Sequence, residues 1–324
     1  MILCDAGRTL NMLSIPIALA LGRLGVQQLY LVALVEGILF VFFNIAERAA
    51  LPRVVAPEDL PAATGQSEMT WGLSALTGPP LGGILYGLGT YALPFLTDAV
   101  SYAASVVSLL FIRTDFQAER TPRTATLLAE MGEAFNWLRK QPLLRFLVLT
   151  GAAGDFLFAS IGLIPIVIAR QQMHARPLAI GFIFTLAAIG GIVGSLLATR
   201  IRERLRFGPT VITTGWLLAI LYPALAIAPM PFALGIVRLL MSGTVAVFNT
   251  ARFSYQLAAI PDALQGRVNS LTNLIAFGSL PIGLALAGIS LQDIGKTATI
   301  LAIAGCLALL ALVTTQNRWV REQA

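Results

Sequence analysis

The stretch that decides the fold covers residues 44–89 and reads NIAERAALPRVVAPEDLPAATGQSEMTWGLSALTGPPLGGILYGLG. It leaves one apolar run, crosses a short polar elbow that contains Pro57, and enters a second apolar run interrupted by Gly-Pro-Pro and Gly-Gly. Residues 250–288 repeat this design as TARFSYQLAAIPDALQGRVNSLTNLIAFGSLPIGLALAG, and Pro261 follows Pro57 by 204 residues. A repeat of this length, built from apolar segments, is typical of a membrane transporter that consists of two parallel halves.

The composition places most of the chain in lipid. Hydrophobic residues make up 57% of the chain and charged residues 12%, and the mean hydropathy is +0.80. A soluble domain carries about 25% charged residues, so this chain has too little polar surface to coat a water-soluble particle. Its apolar runs are continuous over about 20 residues, as in membrane helices, whereas barrel strands alternate apolar and polar residues. The sequence therefore predicts an all-α membrane protein.

Ten apolar segments are predicted to cross the membrane. They cover residues 9–24, 29–46, 67–88, 91–112, 143–169, 178–199, 209–228, 232–253, 268–291 and 297–315. The first four form an N-terminal bundle, 1–112, and the last six form a C-terminal bundle, 143–324. Between them, residues 113–142 are long for a connection and are predicted to be a cytoplasmic linker. Apolar residues at helical spacing after position 126 predict an amphipathic helix there, either on the membrane surface or solvated.

The distribution of basic residues orients these segments. With the N-terminus inside, about seventeen basic residues fall on the inner side and about four on the outer side, as the positive-inside rule requires. The net charge of +6 and the pI of about 9.8 thus belong to cytoplasmic loops rather than to a nucleic-acid site. We expect a multi-pass protein of the cell membrane with a cytoplasmic C-terminus. The loop residues singled out are Asp5, Arg8, Arg48, Arg252 and Arg267.

The two halves are unequal in length. Shifting residue 143 back by the repeat lands about 60 residues before Met1, so the chain is expected to lack the first two helices of a complete transporter. A different interpretation of the N-terminus is a signal peptide over residues 1–22, since Ala18-Leu19-Ala20 resembles a cleavage site. The first residues hold one acid and one base rather than a positive cluster, and the repeat counts this run among the spans.

Several motifs resemble one family of transporters. Asp5 and Arg8 match the Asp-x-x-Arg that opens the third helix in that family, and residues 48–60 match the elbow between its fourth and fifth helices. Residues 261–268 match the elbow between its tenth and eleventh helices. The chain is similar to the major facilitator superfamily, in particular to its bacterial efflux branch of enterobactin exporters and macrolide efflux proteins. The resemblance implies two pseudo-symmetric bundles and runs from the third helix to the twelfth.

The apolar run after the first elbow also resembles the antiporter motif of the superfamily, in which glycines precede Gly-Pro-x-x-Gly-Gly. The matching positions are Gly65, Ser74, Gly78, Pro79, Gly82 and Gly83, with Ser74 in the place of a glycine. Prolines and glycines remove hydrogen-bond donors and side chains from a helix, which permits bending and close approach of a neighbour. The resemblance implies export in exchange for protons.

Four charged residues, Glu36, Asp98, Asp155 and Arg238, lie well inside predicted spans, where a charge costs about 2.5–3.5 kcal/mol and therefore faces a cavity or a partner. Asp98 is expected to form a structural hydrogen bond. Glu36, shifted by the repeat, falls beside Arg238. We expect this pair to face the central cavity, where it binds substrate or holds the two halves together as a static ion pair. Asp155, among small residues and with no cation nearby in sequence, suits a group that binds and releases a proton. A permanent hydrogen bond is its alternative role.

These observations predict a secondary active transporter that exports small amphipathic compounds of the drug or siderophore type by alternating access. Its expected partners are the lipid bilayer, the small-molecule substrate and protons. The open alternatives are uptake, and a truncated or remnant membrane protein without transport. An enzyme is not expected because no His-Glu-x-x-His, Gly-x-Ser-x-Gly or phosphate loop is present, and neither a cofactor nor a metal site is indicated.

Overall fold

The computed structural model describes residues 1–88, 90–112, 127–204 and 206–322. Within its helices, some side chains fall outside the description. These are residues 48, 49, 52, 61, 68, 71, 127–130, 202, 203, 262 and 263, together with residue 57 in the first elbow. The chain divides into two compact units, Met1–Pro122 and Arg123–Ala324, which we call unit 1 and unit 2.

Unit 1 contains four long helices among its described residues. They are α1 (Ile2–Ala20), α2 (Val26–Val54), α3 (Leu60–Gly87) and α4 (Leu93–Leu110), with a 3-10 turn at Pro57–Asp59 in the predicted elbow. Helix α1 packs against both α2 and α4. Its Met12 and Ile15 are buried with Val32 of α2 and Ala99 of α4, and this small apolar cluster is the core of the unit.

Unit 2 is larger and more fully packed. Its helices are α5 (Leu127–Arg139), α6 (Pro142–Phe158), α7 (Ile164–Gln171), α8 (Pro177–Arg204), α9 (Phe207–Leu221), α10 (Ala224–Ile227), α11 (Pro231–Ala259), α12 (Asp262–Asp293), α13 (Gly295–Gln316) and α14 (Arg318–Arg321). Large apolar residues such as Ile164, Ile183, Leu234 and Ile300 are wholly buried in its core. Burial of each such side chain contributes about 1.5–3 kcal/mol.

The predicted internal repeat is visible in the helix bounds. Helix α2, Val26–Val54, corresponds to α11, Pro231–Ala259, and α1, α3 and α4 correspond in the same way to α9, α12 and α13. The neighbours correspond too, since α1 packs on α2 and α4 while α9 packs on α11 and α13. In unit 2, α8 also covers α11 and α6 covers α12.

Nine helical segments in the described part of the chain are long and apolar enough to cross a membrane. They correspond to nine of the ten predicted segments, and the remaining one lies on the 28-residue helix α3. Many large apolar side chains point outward, among them Phe42, Leu196 and Phe277. Such a surface suits lipid, so the prediction of an all-α membrane protein is confirmed.

Glycines bring two helices of unit 2 into backbone contact. A Cβ atom at Gly190 or Gly194 of α8 would overlap the main chain of Leu239 or Gly243 of α11. These glycines are four residues apart, the Gly-x-x-x-Gly spacing that lets membrane helices approach closely. The glycines therefore allow α8 and α11 to pack with their backbones in contact.

Two spans of unit 2 are broken at prolines. Helix α6 passes through a 3-10 turn, Ala159–Gly162, into α7, whose second residue is Pro165, and α9 ends just before Pro223. Proline lacks the N–H that a helix interior needs, so the chain is interrupted at these points. The buried hydroxyl groups of Ser160 and Tyr222 lie 2.5 Å apart and join the two breaks.

The predicted amphipathic helix after position 126 is α5. Its Ala134 and Leu138 are buried against Leu144 of α6 and Val268 of α12, and its Glu133 forms an ion pair with Arg267. Its location on the membrane surface stays a prediction. The first part of the predicted linker, 113–126, lies outside the described residues, and the assignment of 1–112, 113–142 and 143–324 to bundles and linker also stays a prediction.

Candidate functional site

In unit 1, a cluster of polar side chains is centred on Arg8 of α1. Its Nε donates to Glu36 Oε1 of α2 at 2.6 Å, and its Nη2 donates to the Tyr102 hydroxyl of α4 at 2.5 Å. The Tyr102 hydroxyl in turn donates to Glu36 Oε1 at 3.0 Å. The guanidinium carbon lies 4.0 Å from the centroid of the Tyr102 ring, which adds a cation–π contact.

Carboxyl groups outnumber the cation in this cluster. Asp5 is one turn before Arg8 on α1, where it accepts a 2.5 Å hydrogen bond from Ser105 and lies 3.6 Å from Arg8 Nη1. Asp98 of α4 is close enough to interact electrostatically with Arg8 and Glu36. Asp5 Oδ1 and Glu36 Oε2 are buried without a hydrogen-bond partner among the described residues. The cluster therefore joins α1, α2 and α4 through one arginine.

The predicted loop positions need correction. Asp5 and Arg8 lie on α1, where they are only 1% and 9% exposed, and Arg252 and Arg267 lie on α11 and α12. The helices extend further than the apolar runs. Asp5, Arg8 and Arg252 pair with charged residues of the bundle, whereas Arg267 pairs with Glu133 at an exposed position. The side chain of Arg48 lies outside the described ones. The cytoplasmic side of these positions stays a prediction.

In unit 2, a cavity of about 270 Å³ lies between α6, α9, α11 and α13. Polar and small residues of α6 and α11 line it together with aromatic and aliphatic side chains. The lining residues used below are Asp155, Phe158, Arg238, Met241, Ser242, Phe248 and Asn249. Two of the three charged residues predicted to bind substrate or a proton, Asp155 and Arg238, therefore face the same cavity.

Asp155 has a cationic neighbour that its local sequence does not reveal. Arg252 of α11 places Nη1 3.9 Å from Asp155 Oδ2, which is an ion pair but too long for a hydrogen bond. Gly151 makes this contact possible, because a Cβ atom there would overlap the Arg252 guanidinium. The Asp155 side chain is 31% exposed, so it is open to the cavity. A permanent hydrogen bond to Asp155 is not among the contacts of the described residues.

Arg238 is buried on the same helix without a carboxylate partner. The residue is 8% exposed, and its Nε has no hydrogen-bond partner in the described part of the structure. The Phe184 ring centroid lies 5.6 Å from the guanidinium carbon, and Tyr222 is close enough to interact electrostatically with Arg238. Arg238, Ser242 and Asn249 follow at helical spacing and share the face of α11 that borders the cavity.

The predicted pairing of Glu36 with Arg238 stays a prediction, because Glu36 has its partners within unit 1 and Arg238 belongs to unit 2. The residues of the antiporter-like motif all lie on α3, which continues through Pro79. A Cβ atom at Gly65, Gly78 or Gly82 meets no described neighbour within 4 Å. That these glycines and prolines allow α3 to bend likewise stays a prediction.

A repeated, helical, lipid-facing fold with charged groups inside its spans places the chain among multi-pass membrane proteins with the fold of the major facilitator superfamily. The family described as transmembrane secretion effector, within this superfamily, matches residues 5–323. The chain therefore belongs to this family.

The chain is similar to curated exporters and to solved transporters. It is 27% identical over 263 residues to the enterobactin exporter EntS of Escherichia coli O1:K1 and to that of Shigella boydii serotype 18, over 80% of this chain. The chain spans 62% of the length of these curated relatives.

Solved structures show the same fold. A bacterial homologue of the iron transporter ferroportin in its inward-facing state matches with a TM-score of 0.65 at 16% identity, over 98% of this chain and 81% of that one. The nucleoside transporter NupG matches with a TM-score of 0.68 at 14% identity, over 97% and 81%.

Proposed function

We propose that this chain exports small amphipathic compounds across the cell membrane in exchange for protons, by alternating access, with its C-terminus in the cytoplasm. The family and the exporter relatives support efflux, and the bias of basic residues supports the orientation. The substrate and the proton are the proposed partners, within the lipid bilayer. A single proton that moves down 100 mV supplies about 2.3 kcal/mol.

The observation that carries the proposal is Asp155 at the wall of the unit 2 cavity, 3.9 Å from Arg252. At this distance the carboxylate is stabilised by charge but is not locked in a hydrogen bond. Protonation of Asp155 would remove its electrostatic attraction to Arg252, and the Arg252 side chain could then adopt a different position. A group whose charge state selects between two arrangements can couple proton movement to a conformational change.

The breaks between α6 and α7 and between α9 and α10 support the same proposal. The α6 break lies beside the cavity, since Phe158 and Ile161 line it. In transporters, discontinuous membrane helices commonly border the binding site. A chain interruption next to Asp155 gives α6 a place to bend when the ion pair rearranges.

The test uses the full chain in proteoliposomes that hold a pH-sensitive dye, with an imposed proton gradient. Enterobactin, which the relatives are named for, and the macrolide erythromycin serve as probes. We expect compound-dependent proton movement in the wild type and a loss of about tenfold or more in Asp155→Asn, the scale of a lost acid–base group. Asp293→Asn, an exposed change at the end of α12, is the matched control.

Normal, gradient-driven transport by Asp155→Asn would contradict the coupling role of this residue. Absence of movement with either probe in the wild type would favour the alternative of a membrane protein without transport. If the probe crosses the membrane at the same rate with and without a protonophore, the result would instead indicate facilitated diffusion.

A further inference from the structure

The charges around the unit 2 cavity do not balance. Among the described residues, the cavity holds Asp155, which is paired with Arg252, and Arg238, which has no acidic partner. These three side chains, one carboxylate and two guanidinium groups, therefore carry a net charge of +1. An excess of one positive charge in a cavity with apolar walls attracts an anion, because the low-dielectric surroundings strengthen the interaction.

The described protein groups leave part of Arg238 without a partner, since its Nε has no acceptor among them. Burial of a guanidinium is unfavourable unless its N–H groups find acceptors and its charge finds a partner. The Phe184 ring offers a cation–π contact but accepts no strong hydrogen bond. Nε is buried without a partner among the described residues, and the side chain reaches the cavity wall. A bound anion would supply both the missing charge and the missing acceptors.

The remaining walls define the rest of the ligand. Phe158, Met241 and Phe248 surround the space with aromatic and thioether surface, while Ser242 and Asn249 add neutral hydrogen-bonding groups along α11. A cavity of about 270 Å³ has room for a ring or a short aliphatic body rather than for a whole large drug. The geometry therefore matches a compound with one acidic group and a compact apolar body.

We propose that Arg238 is the anchor for the acidic group of a small amphipathic anion, a carboxylate, sulfonate or phosphate ester, whose apolar body fills the unit 2 cavity. The forked guanidinium binds two oxygens of such a group at once, which a neutral or cationic analogue cannot offer. That the bound anion is then carried across the membrane rests on the function proposed above. Binding itself does not.

The experiment measures binding of three matched probes to the purified full chain by isothermal titration calorimetry. Phenylacetate, phenylacetamide and phenethylamine share a ring and differ in charge. We expect wild type to prefer phenylacetate over the amide by about tenfold or more, the scale of one charge-assisted contact. Arg238→Gln should lose this preference, and Arg238→Lys should keep part of it.

Two controls keep the result specific to Arg238. Arg176→Gln removes an exposed arginine of unit 2 outside the cavity and should bind as wild type does. The melting temperature of each variant shows that it is folded, and Arg238→Met serves as a second variant if the glutamine variant is unstable. Competition by phosphatidylglycerol against phenylacetate would show that the site takes lipid headgroups, which would overturn the proposal of a small soluble anion.

Equal binding of the three probes, no binding of phenylacetate, or an anion preference that survives Arg238→Gln would each overturn the proposal. The outcome is distinguishable from that of the transport assay. If phenylacetate binding depends on Arg238 but no compound moves with protons, the anion site stands and the exporter proposal fails. If the transport probes move with protons but phenylacetate binding is absent or independent of Arg238, the exporter proposal stands and the anion site fails.

Discussion

The two units bury arginine in opposite ways. In unit 1, carboxylates and a tyrosine on α1, α2 and α4 surround Arg8, so its charge is neutralised by contacts that join these helices. In unit 2, Arg238 lies equally deep and has no carboxylate partner among the described residues. Arg8 is thus neutralised within unit 1, whereas Arg238 is the arginine that we propose to bind an anion.

The packing of each unit explains the difference. In unit 2, helix α8 meets α11 along glycines, and α6 meets α12 where Gly283 touches the main chain of Phe156. In unit 1, no described helix covers α2 or α3 in the corresponding way. Its helices α1, α2 and α4 share a small apolar core, and the Arg8 cluster joins the same three helices. Unit 2 can leave Arg238 unpaired because its apolar core already holds the helices together.

The largest effect is expected from Arg8→Met. The substitution leaves Asp5, Glu36 and Asp98 without their cation, and removing one partner of a buried ion pair costs about 3–5 kcal/mol. We expect the melting temperature of the detergent-solubilised protein to fall strongly, or the monodisperse peak to disappear in size-exclusion chromatography.

The matched control for that variant is Arg23→Met, which changes an exposed arginine between α1 and α2. It should melt as wild type does. Adding Glu36→Gln to Arg8→Met should recover part of the lost stability, because one uncompensated carboxylate is then removed. An Arg8→Met protein that melts with the wild type would show that the cluster does not hold unit 1 together.

A smaller effect is expected from adding a methyl group at Gly283 of α12. The new Cβ atom would overlap the carbonyl group of Phe156 on α6, and overpacking of this kind costs about 1–3 kcal/mol. The same change at Gly82 on α3, the helix that corresponds to α12, meets no described neighbour within 4 Å. Gly82→Ala should therefore be neutral, or stabilising by up to about 1 kcal/mol through helix propensity.

The comparison of melting temperatures for Gly283→Ala and Gly82→Ala sharpens the contrast between the units. Equal losses for both variants would mean that α3 is packed as tightly as α12. If neither substitution lowers the melting temperature, the close contact at Gly283 contributes little to the stability of unit 2.

Much of the fold follows from the sequence because hydrophobic length and the repeat are local signals. The continuous apolar runs predict the spans, and the 204-residue spacing of Pro57 and Pro261 predicts which helices correspond. The glycines of α8 are compatible with close packing against some neighbouring helix, but only the structure identifies that neighbour as α11.

The partners of the charged residues could not be found in this way. Asp155 and Arg252 are 97 residues apart in sequence, and only the packing of α6 on the far end of α11 brings them together. The sequence contained one usable signal for the unit 1 cluster. Asp5 and Arg8 are three residues apart and so share a helix face, which suits a buried pair better than a loop. Tyr102 and Ser105 carried no such signal before the contact of α4 with α1 was known.

The smallest effect, and the one of opposite sign, is expected from Arg238→Met. Replacing a buried charge that lacks a partner by a side chain of similar length removes a desolvation cost, so in the absence of organic anions the protein should be as stable as wild type or more stable by about 1 kcal/mol. The matched control is Arg252→Met on the same helix, which strips Asp155 of its cation and should lower the melting temperature. If the melting temperature of Arg238→Met falls as far as that of Arg8→Met, both arginines stabilise the fold. The proposed contrast between the units would then be wrong.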